Sequence, residues 1–203
     1  MLEKINALEK QAKQILDEIK EIKEKANVVA LGSLNPGDTF RLCDREFIVL
    51  AHEGEVSKVI SKDFWGQDKV FGNNKNYAKS KIKEFVEKEI LPKIEAVVGR
   101  ENVVEHEIDL EALDGGNDFG KLKCKVLPID FMEARKYFPH LVNEKLNDWW
   151  WTCTPWNSGK HGYQKAITVV SPSGYVNCSI YRSSIGVRPF CILKSNIFVS
   201  KED

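Results

Sequence analysis

The sequence carries no surplus of charge: 30 lysines and arginines balance 30 aspartates and glutamates among 203 residues. That balance removes the long-range field that draws a chain to nucleic acid or to an anionic membrane, so neither is an expected partner. No run approaches the roughly 20 apolar residues of a membrane span, and the opening MLEKINALEKQAK lacks the apolar segment of a signal peptide. Membrane insertion is therefore not expected; synthesis and residence in a cytoplasm are, with attachment to a virion as a further expected location. The five cysteines (Cys43, Cys124, Cys153, Cys178, Cys191) are odd in number, widely spaced and without a CxxC pair. This excludes a disulfide framework and a cysteine zinc site and leaves small, reduced, mostly buried thiols. His52, His106, His140 and His161 stand far apart with no H-x-x-x-H, and neither a Walker A motif nor a dinucleotide glycine pattern occurs. The acidic stretch DLEALDGGND, with Asp109, Asp114 and Asp118, has the residue types for calcium but not the EF-hand spacing, and is expected to be a solvated loop. No cofactor and no metal are expected.

What is present begins with a heptad seam. Ile5, Ala12, Ile19 and Ala26 fall at a positions, and Met1, Leu8, Ile15, Ile22 and Val29 at d positions. Isoleucine at d favours three or four strands over two, and the g-to-e pairs Lys4 with Glu9 and Glu18 with Lys23 are opposite in sign, as parallel in-register chains require. Residues 1–31 are accordingly expected to form a parallel coiled coil holding a homotrimer. The alternative is a single amphipathic helix folded back on its own domain, since Leu2 and Leu16 at e positions widen the stripe.

LGSLNPGD then breaks the helical pattern, and a second region opens over residues 32–203. Strands are predicted near 39–42, 46–51 and 57–62, a helix from NNKNYAKS with Asn76 as its cap and Gly99 as its stop, and a kink or second helix at Pro92. NVVEHEIDL and LKCKVLP read as further strands. IDFMEARKYFP reads as a short helix with Asp130 and Glu133 spaced as a capping box and Pro139 as terminator. The final third is rich in strands, with SPSG supplying a hairpin turn. Strands and helices mix without a βαβ rhythm, so the fold class is α+β, mostly antiparallel.

Four of the five tryptophans stand in WWWTCTPW, Trp149 to Trp156. As a strand, this stretch directs Trp149 and Trp151 to one face and Trp150 to the other, with at least one face in the core. Trp156, after Pro155 and before NSGKHG, reads as a loop residue and a binding anchor, with a loop staple as the alternative. Asn157, Ser158, Lys160, His161 and Tyr163 form one polar and aromatic stretch. Asn177, Ser179, Tyr181, Arg182, Ser183 and Ser184 form a second. Tyr, Ser, Asn and Arg are the residue types of adaptable binding surfaces, and the two stretches are expected to converge on one exposed face; two ordinary surface loops are the alternative.

The order WWWTCTPW, TVVSPSGYV and GVRPFCIL, with FIVLAHE and NKNYAKSKI earlier, resembles a domain family of bacteria and their phages over about residues 33–200. Its G-V-R-P ending is in turn similar to the C-type-lectin-like fold of formylglycine-generating enzymes and of variable proteins diversified by retroelements. The resemblance implies that the tryptophans and GVRPF lie on neighbouring strands of a central sheet, that Arg188 is buried against polar groups and that Gly186 permits a close backbone approach. It implies a non-enzymatic recognition protein whose C-terminal loops bind a protein or a glycan. Two alternatives stay open. One is an enzyme of the formylglycine-generating type, or a degenerate relative, using Cys153, Cys178 or Cys191 with help from His161. The other is a structural subunit of a phage particle.

Overall fold

The computed structural model describes residues 2–25, 27–159 and 165–202. Helix α1 (Leu2–Lys25) opens the chain, and Leu2, Ile5, Leu8, Ile15, Leu16, Ile19 and Ile22 along it are all exposed. The stripe is therefore not folded back on the rest of the chain. The helix also stops short of the expected limit near Leu31. Asn27 takes a left-handed φ of 51°, and strand β1 (Val28–Ala30) follows, paired antiparallel with β14 (Phe198–Lys201). Val29, expected at a d position of the seam, instead lies opposite Val199 in a sheet, and Leu31 is fully buried. The β-branched pair Val28-Val29 loses little in an extended strand, and β14 offers it backbone partners that a lone helix end lacks. Residues Val28–Ala30, expected to continue the helix, thus belong to a sheet.

The rest is α+β and mostly antiparallel. A seven-stranded sheet runs in the order β1-β14-β2-β3-β4-β13-β8, with β2 (Thr39–Leu42), β3 (Arg45–Glu53), β4 (Val56–Ser61), β13 (Pro189–Lys194) and β8 (Val126–Pro128). The first three strands stand where the β-favouring runs between polar turns put them. Cys43 and Asp44 join β2 to β3 with φ of 53° and 56°, the paired positive values of a tight two-residue hairpin. A five-stranded sheet runs β11-β10-β9-β12-β5, with β11 (Val176–Ile180), β10 (Ala166–Val170), β9 (Trp150–Pro155), β12 (Ser184–Val187) and β5 (Gly66–Val70). Its one parallel contact sets Gly186 of β12 beside Trp150 of β9. Strands β6 (His106–Asp109) and β7 (Lys121–Cys124) form a separate ribbon. The chain leaves the five-stranded sheet at Val187 and enters the seven-stranded one at Pro189, so Arg188 sits at the crossing between the sheets.

The central helical stretch is segmented. Asn76 caps one 3-10 turn by accepting from the Ala78 amide, and Ser80 caps α2 (Lys81–Phe85) by accepting from Lys83. A π turn over Val86–Ile90 then leads into α3 (Leu91–Val98), with Pro92 in its first turn, where a missing N–H is harmless. Gly99 stops it at a φ of 88°. Ile82, Val86, Ile90 and Ile94 all point into the core. Asp130 caps α4 (Phe131–Lys136) by accepting from the Met132 and Glu133 amides, but Glu133 turns away to Lys58, so only half of the expected capping box forms. Pro139 does not terminate this helix; it lies in the first turn of a second one, α5 (Phe138–Leu141), the position where proline is best tolerated. Among the described residues no helix is long and apolar enough to cross a membrane.

Candidate functional site

The tryptophan strand is scaffold on both sides. Trp150 and Trp151 are fully buried, and all six residues of β9 are buried. Trp151 packs edge-on against Phe71 at 5.4 Å between ring centroids, and its Nε1 donates to the Lys69 carbonyl at 2.7 Å. Trp149 lies just before the strand, half-buried, and its carbonyl accepts from the Gly186 amide at 3.0 Å. A Cβ on Gly186 would come within 2.5 Å of the Phe64 ring, so this position admits only glycine without rearrangement.

Arg188 joins the two sheets. Its guanidinium lies over the Trp150 ring, 5.0 Å from the centroid, while Nε donates to the Ser61 carbonyl at 2.9 Å and Nη1 to the Leu141 carbonyl at 2.8 Å. The side chain is fully buried with no carboxylate among the described residues in salt-bridge range, and burial pulls its pKa down to about 10, with Asp63 opposing the shift. It remains charged at neutral pH, held by carbonyl dipoles and an aromatic face rather than by a counter-ion.

The first expected binding stretch is not an exposed loop where it is described. Asn157 and Ser158 are 5% and 6% exposed, which removes them from the expected face. The reason is Lys75, itself only 8% exposed, whose Nζ donates to the Asn157 carbonyl at 2.6 Å, to Asn157 Oδ1 at 3.2 Å and to the Ser158 carbonyl at 3.0 Å. Burial lowers the Lys75 pKa, against the opposing charges of Asp114 and Asp118. The acidic stretch expected to be solvated docks on the same turn: Asp114 accepts from the Ser158 amide at 2.9 Å and from its hydroxyl at 2.8 Å, and Asp118 accepts from the Gly159 amide at 3.1 Å. Trp156 is half-buried, and its backbone amide donates to the Ala166 carbonyl at 3.1 Å. Lys160, His161 and Tyr163 lie outside the described residues.

The second stretch is accessible. Asn177 and Arg182 are exposed, and Ser179, Tyr181 and Ser183 are half-buried. Tyr175 and Ile180 add exposures of 74% and 55%. The register separates the two faces of β11: Val176, Cys178 and Ile180 lie opposite Val170, Thr168 and Ala166, whereas Asn177 and Ser179 lie opposite Val169 and Ile167. Asn177 and Ser179 therefore share a polar face, the apolar trio occupies the other, and Tyr181, Arg182 and Ser183 form the turn into β12. Arg182 lies 5.9 Å from the Tyr181 ring centroid. Trp156 belongs to the same end of the sheet, because its partner Ala166 pairs with Ile180. Beside the apolar face runs a groove of about 370 Å³ whose walls include Phe131, Phe138, Val170 and Val176.

A second concavity was not foreseen. A cleft of about 540 Å³ lies between β6, the start of α4 and the face of β4, β8 and β13. Leu127, Phe190 and Ile192 contribute its buried apolar surface, and the His106 ring stands edge-on to Phe190 at 6.0 Å. Lys58 Nζ reaches Glu53 at 3.0 Å and Glu133 at 3.2 Å, and these bonds raise its pKa against the opposing effect of burial. Burial lowers the pKa of His106. These residues come from β3, β4, β6 and α4, and no spacing in the sequence links them.

The cysteines are poor nucleophiles here. Burial pushes the thiols of Cys153 and Cys191 far up and that of Cys124 up to about 12, and raises Cys43 and Cys178 as well. All five are free thiols. Among the described residues no group of three His, Cys, Asp or Glu side chains is arranged to hold a metal ion. Comparisons with protein-family models, with curated proteins and with solved structures find no match to this chain.

Proposed function

We propose that this protein is a non-enzymatic recognition protein: a parallel homotrimer joined through α1, carrying a C-type-lectin-like domain that offers strand β11 and the Tyr181–Ser184 turn to a protein or glycan ligand. The observation that carries the reading is the contrast inside one sheet. Strand β11 has no buried residue, yet it is hydrogen-bonded to β10, which is buried throughout. Exposed Tyr175 before β11, Asn177 within it and Arg182 beyond its other end give rigid ring area, an amide and a planar cation along one strand, the chemistry of an adaptable binding surface. Three copies on one stalk multiply individually weak sites. The exposed apolar stripe of α1 supports the trimer, since isolated proteins rarely leave such a stripe in water. The lectin-like assignment is supported by the adjacency of Trp150 and Gly186 and by the buried Arg188 stacked on that tryptophan. The same resemblance extends the proposal to a phage-borne, prophage or retroelement-diversified binder.

The test has two arms. In the 203-residue chain, Ile15→Glu with Ile19→Glu places charge in the seam and should convert a trimer into a monomer by sedimentation. A parent that already sediments as a monomer at tens of micromolar sinks the stalk. Tyr175→Ala, Asn177→Ala and Arg182→Ala together should lose about 2 kcal/mol or more of affinity on glycan and cell-surface-protein arrays while melting near the parent's temperature. Binding that survives the triple substitution removes β11 and its turn as the recognition surface.

A further inference from the structure

Strand β11 offers its backbone as well as its side chains. It is an outer strand of the five-stranded sheet and pairs with β10 alone. The Tyr181 amide donates to the Lys165 carbonyl and the Tyr175 carbonyl accepts from the Ser171 amide, both at 2.8 Å, so Tyr175, Asn177, Ser179 and Tyr181 turn their backbone groups to β10. Val176, Cys178 and Ile180 therefore turn theirs outward. The Cys178 amide is taken by Asn177 Oδ1 and the Ile180 carbonyl by the Ser183 amide. Among the described residues nothing meets the Val176 amide and carbonyl, the Cys178 carbonyl or the Ile180 amide.

Such an edge is ordinarily blunted, and the other outer strands of the two large sheets are. Strands β1 and β8 have three residues each, and β5 carries Lys69 and an Asp68 with a φ of 52°. Strand β11 has neither a proline nor a charged residue, and its register with β10 runs without a bulge. Exposed Val176 and Ile180 continue its apolar face into the groove of Phe131, Phe138 and Val170. The Phe138 ring is seated against Gly174 in the turn between β10 and β11, where an added Cβ would collide with it. Arg135 is the one charged residue lining the groove, Arg182 stands beyond the Ile180 end of the strand, and among the described residues neither is in an ion pair.

Building on β11 as the recognition surface, we propose that its ligand is an extended peptide that joins the sheet as a further antiparallel strand, with apolar side chains at alternate positions over the groove and a carboxylate at its N-terminal end for Arg182. The peptide residues that exchange hydrogen bonds with Val176, Cys178 and Ile180 lie directly opposite them and share their face, so the bonding amides belong to the apolar positions. A second copy of the chain is a worse occupant. Two β11 strands paired antiparallel about Cys178 would set the Arg182 of one beside the Gly174 turn of the other, at the groove that Arg135 lines, cation against cation.

Fluorescence anisotropy of a labelled, end-blocked heptapeptide, Glu-Val-Thr-Val-Thr-Val-Glu, titrated with the whole chain tests the proposal. It should bind saturably with Kd of about 1 mM or tighter. N-methylation of its valine amides should weaken binding about tenfold or more, and N-methylation of its threonine amides by no more than about threefold. Ile180→Pro removes an outward amide and spares the ladder to β10, a change that an edge strand tolerates; it should weaken the peptide about tenfold, and Ile180→Ala, which keeps the amide, about threefold. If the proline variant does not fold, the two methylated peptides decide on the parent chain. No binding of the unmethylated peptide, equal or reversed sensitivity to the two methylations, or equal loss in the two Ile180 variants overturns the proposal. An array ligand that needs Tyr175 and Arg182 but tolerates Ile180→Pro keeps β11 as the recognition surface and still overturns strand addition. So do assemblies larger than a trimer that Ile180→Pro disperses, which would put a second copy on the edge.

Discussion

Strands β9 and β11 belong to one sheet and are separated by a single strand, yet every residue of β9 is buried and none of β11 is. Hydrophobicity does not account for the difference. Strand β11 reads VNCSI, with an apolar residue at every second position, and β9 reads WWTCTP, with two threonines in its interior. Position in the sheet decides. Strand β9 is flanked by β10 and β12 and covered on both faces, so Thr152 must satisfy itself by donating to the Thr168 carbonyl at 2.9 Å. At the edge, Asn177 and Ser179 meet water, and one row of backbone groups has no strand beyond it. The centre of the sheet is where substitutions should threaten folding; the edge is where they should change only what the molecule touches.

The sharpest way to test that division is Arg188. Removing its side chain leaves the Ser61 and Leu141 carbonyls without donors in a dry interior and opens a void over Trp150. Two buried acceptors and the lost packing together should cost about 4 kcal/mol, so Arg188→Ala should melt well below the parent in a calorimetric scan. Arg188→Met keeps the stem and should recover part of the loss. An unchanged melting temperature for the alanine variant would mean that the crossing between the sheets is not held by this residue.

Gly186→Ala comes next. The added methyl would stand 2.5 Å from the Phe64 ring, and Gly186 is also the residue through which β12 meets β9. Phe64 can shift, so the expected cost is that of overpacking, about 1–3 kcal/mol, rather than that of lost hydrogen bonds. Denaturant titration measures it. A fully stable Gly186→Ala with Phe64→Leu would show that the ring alone sets the requirement for glycine.

How much of this was legible follows from how local each signal is. Strands β2, β3 and β4 announce themselves as short β-favouring runs between polar turns, Asp130 caps the helix that begins right after it, and Gly99 stops one by its own backbone freedom, whereas Asn76, expected to cap the central helix, caps a 3-10 turn and Ser80 caps the helix instead. The burial of Arg188 followed from a resemblance in the final third. The misread parts all depend on distant partners. Helical periodicity runs through Val29, but β14 from the other end of the chain claims it. Asn157 and Ser158 look like loop residues until Lys75, 82 and 83 residues earlier, fills the turn from inside. The cleft is the extreme case, since Lys58 and Glu133 meet across 75 residues, and the capping-box spacing that singles out Glu133 points it to its own helix end rather than to Lys58.

The smallest expected effect lies at the edge, and its smallness is the point. Ile180→Thr keeps a β-branched side chain on an exposed strand position, and Asn177→Ser keeps a short polar group on the opposite face. Both residues are exposed, and neither side chain reaches across to another element of the core. If β11 is carried by its pairing with β10, the double substitution should change stability by no more than about 0.5 kcal/mol, even though the same number of changes in β9 would be severe. Equilibrium unfolding in urea, with the slope compared as well as the midpoint, decides the matter. A midpoint shift worth more than about 1 kcal/mol would show that β11 contributes to the core through its outer face, and the sheet would then have no edge free for recognition.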